Sequence, residues 1–276
     1  MSRLVIYLVA VMFSLTSASA QDYKWKTVPM DGTRTGCKAT SVDNVDKALG
    51  VVRMDGTYVS PSGKEYPKGS ATAKVASIVI EAQPQMAELK KVVAYSEKEM
   101  PRLKGESDLS NWFVGIVMDK VSSLSGMRCD LGICNFGGIR KGMPQGNVIL
   151  DDIQSMFPFI NYLALVQMKG GELRKLFEGM AKKHFQAIGG VRIEVVNKEL
   201  VSVMIGDEPL NDSKVYNIAT ISFLLAGGDG LYLANNAVSV TEYKVLIFDA
   251  VMEHINALAA AGKPIVAPEV KHVTIR

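Results

Sequence analysis

Two glycine pairs, each followed closely by a charged residue, are the part of this sequence best suited to hold a small molecule. Gly137-Gly138 precedes Arg140, and Gly227-Gly228 precedes Asp229. Paired glycines permit positive φ and a close approach of backbone to ligand. An arginine offers a planar fork that matches phosphate or carboxylate. An aspartate accepts hydrogen bonds from sugar hydroxyls. Phe159 and Phe223 lie in loops nearby in the pattern, and two aromatic faces can hold a flat base between them. A plainer alternative is that the phenylalanines are core and the glycines only turn the chain.

Other chemistries find no support. The three histidines, His184, His254 and His272, stand in none of the spacings that ligate catalytic metals. His184 reads as solvent-facing and His254 as a packed or surface residue of a helix. A two-metal phosphatase site needs several His, Asp and Asn ligands, and the pattern supplies none. A nucleophile elbow and a phosphate loop ending in Gly-Lys-Ser/Thr are also missing. Cys37, Cys129 and Cys134 lack zinc spacing and read as free thiols, with Cys129 and Cys134 on opposite faces of a strand and so unable to pair.

The elements that must position these residues can be sketched. Short strands are expected within 50–54 and 57–60. Apolar periodicity predicts a helix over 72–93, broken or kinked at Pro84. Ser107 or Asp108 caps a helix from Leu109 to about Val121, with Trp112, Ile116, Val117 and Val121 on one face. Residues 129–134 read as a strand ahead of the first glycine pair. Asp151 and Asp152 open a short helix ending at 157–159. Tyr162–Met168 is a strand turned by Gly170-Gly171 into a helix using Leu173, Leu176, Phe177 and Met180. Residues 191–196 and 200–205 form a hairpin around Asn197-Lys198. Tyr216–Ile221 is a strand leading into Phe223 and the second glycine pair. A long helix is expected over 241–261. Irregular alternation of strands and helices predicts an α+β fold, a mixed sheet packed with helices.

Length and composition bound the rest. The chain has 276 residues, 48% hydrophobic and 21% charged, with a net charge of +3. That is globular, and gives no reason to expect a nucleic-acid partner. Residues 1–20 read as a signal peptide: Arg3, a twelve-residue apolar run, then Ala18-Ser19-Ala20 as the cleavage pattern. Twelve apolar residues are too few to span a bilayer. The expectation is an exported chain, periplasmic or extracellular, with no membrane segment after cleavage. Residues 21–94 read as an arm and connecting helix, either packing or docking, and 95–276 as the binding domain.

The motifs in combination resemble the C-terminal, substrate-specificity domain of the bacterial 5'-nucleotidase / UDP-sugar hydrolase family. The likeness covers about residues 95–265. Glu106-Ser107-Asp108-Leu109-Ser110-Asn111 is similar to the family's E-S-x-L-G-N, and Asn135 through Arg140 to N-x-G-G-I-R. Gly146-Asn147-Val148 follows in order. Phe157-Pro158-Phe159-Ile160-Asn161 is similar to L-P-F-x-N, and Phe223 through Gly230 to F-L-A-x-G-G-D-G. The resemblance implies a base stacked between Phe159 and Phe223, ribose hydroxyls on Asp229, and further substrate contacts from Asn135 and Arg140 within the glycine turns Gly137, Gly138, Gly227 and Gly228. It also implies a substrate arginine before the first helix, for which Arg102 is nearest.

Family enzymes carry an N-terminal calcineurin-like metallophosphoesterase domain with two metal ions. Residues 21–94 are too short for it and contain no histidine. The expectation is therefore a free-standing recognition subunit for a nucleotide or nucleoside, with no cofactor of its own. Divalent metals and hydrolysis would come from a separate metallophosphoesterase polypeptide. The alternative is a stand-alone nucleoside-binding protein without a catalytic partner.

Overall fold

The structure, a computed structural model, describes residues 35–41 and 44–276. The expected signal peptide and the start of the arm lie outside them. The chain divides into two compact units between Glu81 and Ala82.

The first unit contains helix α1 (Val45–Leu49), strands β1 (Val51–Val52), β2 (Tyr58–Val59) and β3 (Glu65–Tyr66), and helix α2 (Ala71–Ala82), whose last residue falls on the boundary. The strands form one antiparallel meander. Tyr58 stacks on Tyr66 at 5.7 Å within it. The helix expected over 72–93 stops at Ala82. Pro84 opens a 3-10 turn, Gln83–Met86, and a second follows at Glu88–Lys90. Proline lacks the N–H that the next helical turn needs.

The second unit's first strand is β4 (Val92–Ser96), so Val92 and Val93 are strand residues and not helical ones. Helix α3 (Asp108–Ser125) follows. Ser107 is its cap: its Oγ accepts from the Ser110 N–H, and Ser110 Oγ accepts from the Ser107 N–H. Gly126 ends the helix in the left-handed conformation, φ 68°. Strand β5 (Leu131–Cys134), strand β6 (Gly146–Ile149) and helix α4 (Leu150–Met156) come next. Then come β7 (Tyr162–Lys169), α5 (Gly170–Lys182), β8 (Ala187–Gly189), β9 (Val191–Val196) and β10 (Glu199–Ile205). The chain finishes with β11 (Glu208–Pro209), β12 (Val215–Ile221), α6 (Ser222–Leu225), β13 (Ala237–Leu246), α7 (Ile247–Ala260) and β14 (Val273–Ile275).

Two segments differ from their sequence reading. Residues 237–246, partly assigned above to a long helix, are the edge strand β13, and the helix is confined to 247–260. Val238, Val240, Thr241 and Tyr243 favour the pleated conformation, and their β propensity overrides the few positions that also fit a helix. The strand expected over 129–134 begins at Leu131. The Asp130 carboxylate is occupied before it, accepting from the Asn217 N–H at 2.7 Å.

The expected α+β class holds, with a mixed five-stranded sheet, order β13-β7-β12-β5-β8, at its centre. Strands β12 and β5 run parallel, and the other pairings are antiparallel. A second sheet, β11-β10-β9-β14, contains the expected hairpin. Its turn residues Asn197 and Lys198 both take positive φ, 51° and 66°, matching strand twist. Helix α3 lies tightly on the central sheet. A Cβ on Gly132 or Gly189 would come within 2.6 or 2.8 Å of Val114 Cγ1. Trp112, Ile116, Val117 and Val121 are buried as the periodicity required.

Candidate functional site

Strand register brings four chain segments to one end of the central sheet. Parallel β5 and β12 pair Ile218 with Leu131, so their C-terminal ends lie side by side. The first glycine turn follows β5 at Asn135. Phe223 and the second glycine turn follow β12. Antiparallel β7 pairs Leu163 with Ile221, so its start, just after Phe159–Asn161, reaches the same end. Antiparallel β8 pairs Ala187 with Cys134, which brings Gln186 beside Asn135. The crevice outside the carboxyl ends of parallel strands is where α/β sheets commonly bind ligands.

A cavity of about 470 Å³ opens there, lined by Asn135, Gly137, Gly138, Arg140, Phe159, Ile160, Asn161, Phe223 and Asp229. The phenylalanines are not core: Phe159 is 47% exposed and Phe223 42%, whereas Phe157 is 4% exposed. The sequence Phe157-Pro158-Phe159 thus sends one ring inward, onto Phe113 at 4.7 Å, and the other into the cavity. Ser222 Oγ accepts from the Tyr162 N–H at 3.0 Å, tying the two phenylalanine segments together. Two exposed aromatic rings at one cavity supply the apolar surface a planar ligand needs.

The polar groups are fixed from several sides. Asn135 is buried, and its Nδ2 donates to Asp229 Oδ2 at 3.1 Å. Its Oδ1 is buried without a partner among the described residues. Arg140 Nη1 donates to the Gly137 carbonyl at 3.3 Å, and its guanidinium carbon stands 5.7 Å from the centroid of the Phe159 ring. Asp229 takes a left-handed conformation, φ 50°, which aspartate tolerates better than most residues. Among the described residues nothing hydrogen-bonds to its Oδ1.

The remaining predicted residues lie outside the cavity lining and support it. Arg102 donates from Nε to the Ile139 carbonyl at 2.6 Å, holding the peptide that precedes Arg140. Gly228 makes room for the site's own ring: a Cβ there would sit 2.5 Å from Phe223 Cδ1 and 2.3 Å from its carbonyl oxygen. Gly227 takes φ 109° and packs under Tyr232, where a Cβ would meet Cε1 at 2.6 Å. The first pair is glycine for close approach and not for positive φ. A Cβ on Gly138 would stand 2.7 Å from Asn135 Oδ1.

Sequence reasoning passed over Asn161, although its segment was recognised, and Gln186, whose neighbouring strand β8 has only three residues. Gln186 is buried. Its Oε1 accepts from the Phe136 N–H at 3.1 Å, and its Nε2 donates to Asp229 Oδ2 at 3.4 Å. A second cavity of about 680 Å³ lies against Gly137, Gln186 and Asp229, with Lys104, Lys183 and His184 in its wall. Cys129 and Cys134 take no part in the site. Both are buried free thiols, and burial pushes their pKa up, which keeps them protonated and inert.

The family model of the 5'-nucleotidase C-terminal domain matches residues 86–236. The chain belongs to that family. UshA of Yersinia enterocolitica is 30% identical over 106 residues, covering 37% of this chain and 19% of its own length. The bovine 5'-nucleotidase is 32% identical over 123 residues, covering 37% and 21%. This member of the family thus spans about a fifth of the length of such curated relatives. The 5'-nucleotidase precursor of Thermus thermophilus shares its fold with a TM-score of 0.64 at 22% identity, covering 79% of this chain and 45% of the other. The NAD nucleotidase of Haemophilus influenzae does so with a TM-score of 0.57 at 18% identity, covering 80% and 48%. Among the described residues, no group of three or more His, Cys, Asp or Glu is placed to hold a metal ion. No helix among them is long and apolar enough to cross a membrane.

Proposed function

We propose that this chain is an exported nucleotide- or nucleoside-recognition subunit of a 5'-nucleotidase-type hydrolase, working with a separate metallophosphoesterase chain that carries the metals. The supporting observation is one cavity that gathers Phe159, Phe223, Asn135, Arg140 and Asp229. The base stacks between the two rings, each contact stabilising binding by about 1–3 kcal/mol. Asp229 Oδ1 accepts from the ribose hydroxyls. Arg140 has guanidinium N–H groups to spare for a phosphate, because among the described residues only its Nη1 donates a hydrogen bond. Substrate recognition and metal-assisted hydrolysis need different residues, so they can sit on different bodies that close around one ligand.

Calorimetry on the purified chain with AMP and adenosine tests this reading. Binding is expected, weakened by about 1–3 kcal/mol in Phe159→Ala and in Phe223→Ala. Failure to bind any nucleotide, nucleoside or UDP-sugar, with or without a phosphoesterase chain, refutes it. A second reading is a nucleoside-binding protein with no catalytic partner, in which the same cavity acts alone. Mixing with a metallophosphoesterase polypeptide separates the two. A complex with new phosphatase activity supports the first only.

A further inference from the structure

We infer that Gln186 is a positioning residue that joins the two glycine turns and sets which oxygen of Asp229 is offered to a ligand. The role assigned to Asp229 rests on the nucleoside reading above; the clamp itself rests on geometry.

The orientation of the Gln186 amide follows from chemistry. A backbone N–H can only donate, so the side-chain atom facing Phe136 N at 3.1 Å must be the oxygen. The NH2 group then faces Asp229 Oδ2 at 3.4 Å, and a carboxylate oxygen accepts it. One buried side chain thus holds the turn after β5 with its oxygen and the turn after β12 with its nitrogen. The second donor on the same Asp229 oxygen is Asn135 Nδ2 at 3.1 Å. Two amides on Oδ2 fix the carboxylate plane and leave Oδ1 free to accept. The constraint matters because Asp229 is exposed and borders both cavities. Without the clamp, its free oxygen can rotate away from the phenylalanine-lined cavity. The pairing of Cys134 with Ala187 explains why this role falls to position 186.

Two variants of the full chain test the inference. Gln186→Leu keeps the bulk and loses both hydrogen bonds. Gln186→Glu keeps the acceptor for Phe136 N–H but sets a carboxylate against Asp229. The first measurement needs no ligand: hydrogen exchange of the Phe136 amide by NMR. It is expected to speed up about tenfold in Gln186→Leu and to stay near the unmodified rate in Gln186→Glu. Equal exchange in all three chains overturns the clamp, whatever the chain binds.

The second measurement compares adenosine with 2',3'-dideoxyadenosine by calorimetry. The unmodified chain is expected to prefer adenosine. Gln186→Glu should lose about tenfold of that preference at neutral pH and regain it as acid protonates the carboxyl pair, with the dideoxy ligand unaffected. Equal weakening of both nucleosides, or no pH dependence, assigns Gln186 a merely structural role and overturns the positioning of Asp229. If the unmodified chain binds neither nucleoside, the nucleoside reading falls together with Asp229's role in it. Amide exchange then still decides the clamp.

Discussion

His254 shows how a residue's surroundings, more than its type, decide its behaviour. It is half-buried on α7, with its ring edge-on to Trp112 at 6.2 Å. Burial lowers its pKa from 6.5, against a smaller opposing pull from Asp119. A depressed imidazole means that the unfolded chain binds more protons than the folded one as pH falls through 6.5. The neutral ring therefore costs nothing above that pH, and stability is lost below it. The urea midpoint is expected to fall more steeply from about pH 7 to pH 5 in the unmodified chain than in His254→Gln. Parallel slopes would remove His254 from the account. The phenylalanines make the same point: Phe157 and Phe159 are two positions apart, yet one is core and the other lines the cavity.

At the level of elements, local signals were readable wherever they had a single meaning. The start of helix α3 is one, although the sequence offers both Ser107 and Asp108 as its cap and the structure selects Ser107. Both of its reciprocal hydrogen bonds with Ser110 are made, so Ser107→Ala should cost about 1 kcal/mol, seen as a lower urea midpoint with unchanged m-value. An unchanged midpoint would show that water serves the helix end equally well. The Asn197-Lys198 hairpin and the strand of β12 were legible for the same reason: turn chemistry and alternation agree. Strand β13 was not, because Tyr243 and Leu246 satisfy helical spacing as well as a pleat, and only pairing with β7 decides between them. Strands β8 and β14 are too short to leave a pattern. Gln186 was invisible with them, since its importance comes from a neighbour about fifty positions earlier in the chain. Positive φ and close approach are the two uses the sequence offers for the glycine pairs, and only Gly227 takes the first. Gly138 and Gly228 are needed for space, whereas a Cβ on Gly137 would meet its nearest neighbour, Asn135 Nδ2, at 3.3 Å.

Across the whole molecule, the four segments that build the site, and the core behind them, belong to the unit beginning at Ala82. A chain of residues 82–276 is expected to unfold cooperatively and to bind adenosine as tightly as the full chain, measured by denaturant titration and calorimetry. Loss of binding would mean that the first unit contributes to recognition. The convergence of strand ends has one more consequence, for inheritance. Cavity-lining residues at 140, 159, 161 and 223 stand at the rim of a scaffold whose packing is carried by Leu131, Ile133, Leu163 and Ile218, all fully buried. A substitution at the rim alters what the cavity reads and leaves the scaffold's packing intact. On the nucleoside reading proposed above, ligand preference can therefore drift under selection through three separately encoded segments, one change at a time, without the lineage passing through an unfolded ancestor.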